Sequence, residues 1–121
     1  MTAVVWIGVG AVSGIGAVAR FLLHTAVQER TTSRFPAGTL AVNVLGSLAL
    51  GVLHGAGVTG DAALLLGTAF LGSFTTFSTW MLETQRLAVE GARDLALANL
   101  ALSLALGLGA VALGWAVAAA F

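Results

Sequence analysis

Cysteine, lysine and tyrosine are absent from this 121-residue chain, and proline occurs once. Without cysteine there can be no disulfide, no thiolate chemistry and no cysteine metal site. Without lysine, and with five arginines scattered singly, no basic run exists to neutralise a series of phosphates, so nucleic acid is not an expected partner. Charge of either sign is scarce: five basic and five acidic residues make up 8% of the chain and cancel to a formal net charge of zero. A soluble domain of this length usually carries about a quarter of its residues charged. With 59% hydrophobic residues and a mean hydropathy of +1.02, most of this chain has lipid, or other apolar helices, as its solvent.

The few charges divide the sequence. Residues 1–19 carry none, Arg20 stands alone, and residues 36–60, 62–82 and 95–121 are again free of charge. A membrane helix needs about 20 predominantly apolar residues rising about 1.5 Å each. Four segments meet that length, at about 3–26, 37–58, 62–88 and 95–120, and together they make residues 1–121 one transmembrane domain. The first is too long for the core of a signal peptide and lacks basic residues ahead of it, so it reads as the first membrane helix. The connections are short, and Pro36 suits the start of the second helix. The loops after the first and third helices fall on one side and hold Arg30, Arg34, Arg86 and Arg93; the other side has no basic residue. By the positive-inside rule the arginine-bearing loops are cytoplasmic and both termini lie outside, as in a multi-pass protein of the bacterial cell membrane.

What is abundant is glycine, at 16 residues. Gly10 and Gly14, and Gly51 and Gly55, have the small-xxx-small spacing that lets helix backbones approach in lipid, either within a subunit or between subunits.

The third helix carries the most unusual segment, Gly72-Ser73-Phe74-Thr75-Thr76-Phe77-Ser78-Thr79-Trp80, with five hydroxyl residues in seven positions at mid-membrane. Hydroxyls compete for backbone hydrogen bonds and glycine weakens a helix, so a break or irregular turn is expected near residues 72–76. The alternative is a continuous helix whose hydroxyls bond back one turn. Irregular backbone at membrane depth requires a protein or aqueous cavity around it, and its freed carbonyls suit a hard cation. Phe77 and Trp80, three apart, share a helix face. Aromatic edges are positive, so such rings presented edge-on can coordinate an anion without a full charge, although ordinary packing is the commoner use.

On the second helix Thr39, Asn43 and Ser47 recur every four residues, with His54 on nearly the same face. Asn43, costly in hydrocarbon, should face the bundle interior, where its amide serves an anion or bonds to another helix. Asn99 and Ser103 repeat the spacing on the fourth helix, like the second wall of one polar path. Arg20 must snorkel, pair or line a vestibule. Glu83 and Arg86, and Arg86 and Glu90, are spaced to pair along the helix. No phosphate loop, no nucleophile with a nearby base and no metal-ligand spacing around His24 or His54 occurs, so no enzyme is expected.

Three pieces in order, Gly14-Ile15-Gly16-Ala17-Val18-Ala19-Arg20, Pro36-Ala37-Gly38-Thr39-Leu40-Ala41-Val42-Asn43 with Gly46-Ser47, and Gly72 through Thr79, resemble the Fluc (CrcB) family of fluoride channels across essentially the whole chain. The resemblance implies passive, selective export of fluoride that enters as HF. It implies an antiparallel dimer in the lipid bilayer, in which a second subunit, identical or a paralogue, is inserted in the opposite orientation. It implies that Phe77 and Trp80 match the pore's aromatic box, with Asn43, Ser78, Thr79, Glu83, Asn99, Ser103 and the vestibule arginine Arg20 along the fluoride pathway. It also implies a structural Na⁺ at the dimer centre, held by the main-chain carbonyls of Gly72 and Thr75. The second box aromatic is usually Phe; Trp80 is larger and adds an N–H donor, which bears on pore width and rate. The one-sided arginines suit a subunit that inserts one way and pairs with an oppositely oriented paralogue. Two other readings are a proton-coupled four-helix multidrug exporter, which would need a carboxylate that the first helix lacks, and a non-conducting membrane assembly subunit, which leaves the hydroxyl-rich segment unexplained.

Overall fold

The computed structural model describes residues 2–121 as four long helices. They are α1 (Ala3–Glu29), α2 (Ala37–Gly55), α3 (Gly60–Val89) and α4 (Arg93–Ala119), each long and apolar enough to cross a membrane. The 27 residues of α1 span about 40 Å, more than the roughly 30 Å of a hydrocarbon core. Thr2 starts that helix by accepting a hydrogen bond from the Val5 amide at 3.4 Å.

Helix ends follow local chemistry. The α2–α3 and α3–α4 turns share one device, a left-handed glycine just past the helix end, Gly57 (φ 75°) and Gly91 (φ 86°). At the second, the Ala92 amide reaches back to the Leu87 carbonyl at 2.8 Å and Gly91 to Ala88 at 3.2 Å. Leu87 and Ala92 then pack together with Ala96 in a buried cluster. This pattern satisfies carbonyls that the helix end would otherwise orphan. At the start of α2, where Pro36 has no amide hydrogen to offer, the Gln28 side chain of α1 accepts from the Gly38 amide at 3.0 Å.

The most extensive packing is between α2 and α4, which approach closely at small residues. A Cβ at Gly51 would sit 3.0 Å from the Trp115 backbone nitrogen, and one at Gly114 equally close to that of Val52. Gly51 and Gly55 therefore work within the subunit. Gly10 and Gly14, with the same spacing, meet nothing within 4 Å. The buried core is small, built from residues such as Val42, Ala69, Leu71 and Phe74. Ile7, Ile15, Leu22, Leu97 and Leu108 face outward, as helices do when lipid is the solvent.

The third helix is not continuous. Its first half runs through a nine-residue π-helical stretch, Ala63–Leu71, to Phe74; the second half is Ser78–Val89. Between them Thr75 is extended (φ −89°, ψ 162°). The break comes just after Gly72, which is itself helical. Hydroxyls upstream of it do bond back, Ser73 to the Ala69 carbonyl at 2.8 Å and Thr75 to that of Leu71 at 2.9 Å. Both expected behaviours of this segment thus occur side by side.

On the arginine-bearing side, Arg34 of the α1–α2 loop pairs with Glu90 at the end of α3, at 2.8 Å. The two loops therefore share one end of the bundle, as helix parity requires. This pairing also corrects the helical pairs expected from spacing, Glu83 with Arg86 and Arg86 with Glu90. Among the described residues Glu90 takes Arg34 and not Arg86, and Glu83 takes a hydroxyl from α2.

Candidate functional site

The break in α3 is held open by one side chain. Asn43 of α2 accepts from the Thr76 amide through Oδ1 and donates to the Thr76 carbonyl through Nδ2, each at 2.8 Å. In a continuous helix the Thr76 amide would bond the Gly72 carbonyl; here it turns to Asn43 instead. One turn on, the Thr79 amide, which would bond the Thr75 carbonyl, donates to the Thr76 hydroxyl at 3.2 Å. The carbonyls of Gly72 and Thr75 thereby lose the donors that an unbroken helix would give them. Asn43 still keeps one amide hydrogen and one acceptor position of its four.

A concavity of about 630 Å³ opens beside this break. Asn43 and Ser47 of α2, Gly72, Thr75, Thr76, Phe77 and Trp80 of α3, and Ser103 and Gly107 of α4 line it among leucines. It holds no charged side chain. Phe77 and Trp80 meet edge to face, with centroids 5.5 Å apart and planes at 85°. Phe77 is 69% exposed and Trp80 half-buried.

The other residues singled out from the sequence fall elsewhere. Asn99 has no exposed surface at all. Its amide donates to Thr84 at 2.8 Å, and its Oδ1 accepts from Ser103 at 3.4 Å. Ser78 is exposed, beside the Thr76 hydroxyl at 3.5 Å. Thr79 is half-buried and does not line the concavity. Arg20, half-buried in α1, also lies away from it. His54 is exposed near the far end of α2.

Glu83 lies nearer the arginine-bearing end, where its Oε1 accepts from the buried Thr39 hydroxyl. It lines a second cavity, of about 340 Å³, with His24, Gln28, Arg34, Arg86 and Glu90. Three contacts were not singled out in the sequence. They are the Thr39–Glu83 bond, the capping by Gln28 and the Thr84 hydroxyl, which donates to the Trp80 carbonyl at 2.8 Å. The last had a signal, since Trp80 and Thr84 stand four apart on one helix.

The chain resembles known proteins over nearly its full length. Residues 6–115 match the family model described as "CrcB-like protein, Camphor Resistance (CrcB)". A relative from Mycobacterium tuberculosis (strain ATCC 25618 / H37Rv), named "Fluoride-specific ion channel FluC 2", is 52% identical over 114 residues, covering 94% of this chain and 90% of the relative. One of the same name from Haloarcula marismortui is 50% identical over 109 residues, covering 90% and 89%. "Fluoride-specific ion channel FluC 1" of Rubrobacter xylanophilus is 52% identical over 105 residues, covering 86% and 85%. A helix broken near its middle beside an uncharged concavity lined by Phe77 and Trp80 thus sits in a sequence about half identical to proteins named fluoride-specific ion channels, and the chain belongs to the CrcB family.

Proposed function

We propose that this chain is a subunit of a fluoride-selective channel that lets fluoride leave the cytoplasm passively across the cell membrane. The observation that carries the reading is the concavity itself. It is lined mainly by apolar side chains with a few uncharged polar groups among them, and it joins an aromatic pair, Phe77 exposed and Trp80 half-buried, to the Asn43 amide and the Ser47 hydroxyl in a protein 52% identical to one named a fluoride-specific ion channel. A fluoride ion must shed tightly held water to pass. Ring edges, the spare Asn43 N–H and the Ser47 hydroxyl offset that loss, and the absence of fixed positive charge keeps the ion from being trapped. Arg20, Ser78, Thr79 and Glu83 continue the pathway away from the rings.

The concavity is open on one side, so a second subunit completes the pore, inserted in the opposite orientation and identical or paralogous. The bias of four arginines to none favours a subunit that inserts one way and meets an oppositely oriented partner. The Gly72 and Thr75 carbonyls, short of their helical donors, fit a structural Na⁺. Two carbonyls fall below the oxygen count that hard cations take, so a second subunit would supply the rest. The ion fixes the interface while fluoride moves.

The test is fluoride efflux from liposomes holding the purified chain alone, with chloride as control. Selective fluoride efflux is the expected result, and equal efflux of both ions, or chloride alone, would end the reading. Absence of any efflux, persisting with Trp80→Phe and with a co-expressed paralogue, would end it too. Exchanging Na⁺ for N-methylglucamine throughout purification should abolish efflux; full efflux without Na⁺ would remove the ion from the design.

A further inference from the structure

Trp80 brings to the aromatic pair an N–H donor that a phenylalanine would lack, and the structure gives that donor a destination inside the subunit. Trp80 Nε1 donates to the Asn99 main-chain carbonyl at 3.2 Å. The Asn99 amide donates to the Thr84 hydroxyl at 2.8 Å, and that hydroxyl donates to the Trp80 carbonyl at 2.8 Å. The three bonds close a circuit through three residues and tie α3 to α4. Asn99 is fully buried and Thr84 is 9% exposed, so neither reaches the concave face.

We propose that Asn99 and Thr84 are positioning residues, a latch that fixes the Trp80 ring and turns its N–H away from the concavity. Trp80 then offers a passing anion only ring carbon edges, and its orientation against Phe77 is set from behind. A free indole would rotate about its side-chain bonds and present the N–H as a strong donor, slowing release of a bound anion. A latched indole behaves as a broad phenylalanine. Asn99 thus acts on the pathway through Trp80, although it does not itself line the concavity. The inference about fluoride rests on the channel reading; the latch itself is a statement about one ring.

The experiment separates the two. Trp6 and Trp115 are half-exposed, so replacing both by Phe leaves Trp80 as the sole fluorophore with little disturbance. In that background Thr84→Val keeps the shape and removes both hydrogen bonds of the hydroxyl, while Thr84→Ser restores them. Trp80 anisotropy decay in lipid nanodiscs reports the mobile fraction of the ring. Thr84→Val removes the two bonds that hold the indole's acceptor in place, and weakening the Trp80–Asn99 bond by the worth of one ordinary hydrogen bond should raise that fraction about five-fold; Thr84→Ser should return it to the parent value. Fluoride efflux should fall by a similar factor in Thr84→Val, and should not change when the same substitution is made on Trp80→Phe. Unchanged anisotropy in Thr84→Val overturns the latch. An efflux loss of equal size with Trp80 or Phe at position 80 also overturns it, since that loss is structural. If Thr84→Val does not fold, Asn99→Asp, which keeps the shape but cannot donate to Thr84, is judged by the same measurements. A parent protein without fluoride efflux sinks the channel reading and leaves the anisotropy to decide the latch.

Discussion

Replacing Asn43 tests the central claim about this fold, that one carboxamide holds the break in α3. The Asn43→Ala variant removes two bonds of 2.8 Å and leaves both the amide and the carbonyl of Thr76 without partners. Each orphaned buried group costs about 1–3 kcal/mol. The pair would cost about 2–6 kcal/mol if fully sealed, but Asn43 is only partly buried and lines an open concavity. Water there recovers part of the loss, so the lower half applies, about 2–4 kcal/mol. Asn43→Asp separates donor from acceptor. A carboxylate still accepts from the Thr76 amide, yet it cannot donate to the carbonyl and sets two oxygens against each other. It should therefore destabilise about as much as alanine and, by placing a negative charge beside the path, stop fluoride efflux. The assay is equilibrium unfolding in mixed micelles, read by tryptophan fluorescence, run alongside liposome efflux. An Asn43→Ala protein within about 0.5 kcal/mol of the parent would refute the clamp, because that is the range of surface substitutions.

Further substitutions probe the surrounding contacts. Thr76→Val spares the Asn43 clamp but removes the hydroxyl that accepts from Thr79; about 1 kcal/mol should be lost in the same unfolding assay, as for other helix caps. Gly51→Val pushes a side chain into the α4 backbone and should lower stability by about 1–3 kcal/mol or prevent folding, whereas Gly14→Val should leave the monomer's melting unchanged. Thr39→Val takes the hydroxyl from the Glu83 carboxylate and should cost about 1.5–3 kcal/mol, as for hydrogen bonds to charged groups. Arg34→Ala breaks an ion pair whose side chains are both about half exposed; melting in low and high salt should show a loss of at most about 1 kcal/mol, smaller at high salt.

Four spans were legible because charge is so rare here that each polar residue marks either a loop or a site. The hydroxyl-rich segment left two readings of α3 open, a break near residues 72–76 or a continuous helix with its hydroxyls bonded back, and the break falls at Thr75, inside that segment. What the local sequence could not supply is the partner that captures the freed Thr76 amide, Asn43, thirty-three residues away. A tertiary bond chose among several local candidates. Spacing had a similar limit. Gly10–Gly14 and Gly51–Gly55 look alike in sequence, but only the second pair has a helix against it. A four-residue step likewise joins Asn99 to Ser103, and only Ser103 reaches the concavity while Asn99 is covered by Trp80 and Thr84. Helical periodicity identifies a face; which neighbour covers that face is decided by packing.

The polar residues of this bundle follow a single physical rule. In lipid an unsatisfied polar group is expensive, so Asn43, Thr76, Thr84 and Asn99 are each committed to a partner, and the proposed pathway is left to what those commitments release. Asn43 engages the Thr76 backbone, and the Gly72 carbonyl is released. The Thr76 hydroxyl engages Thr79, and the Thr75 carbonyl is released. Thr84 and Asn99 engage each other and Trp80, whose ring lines the concavity. Each released group is weakly polar, uncharged and fixed in position by a bond made elsewhere. That combination suits an ion that must be held briefly and let go: a full charge would bind it too well, and an unfixed dipole would have to reorganise around it at every passage.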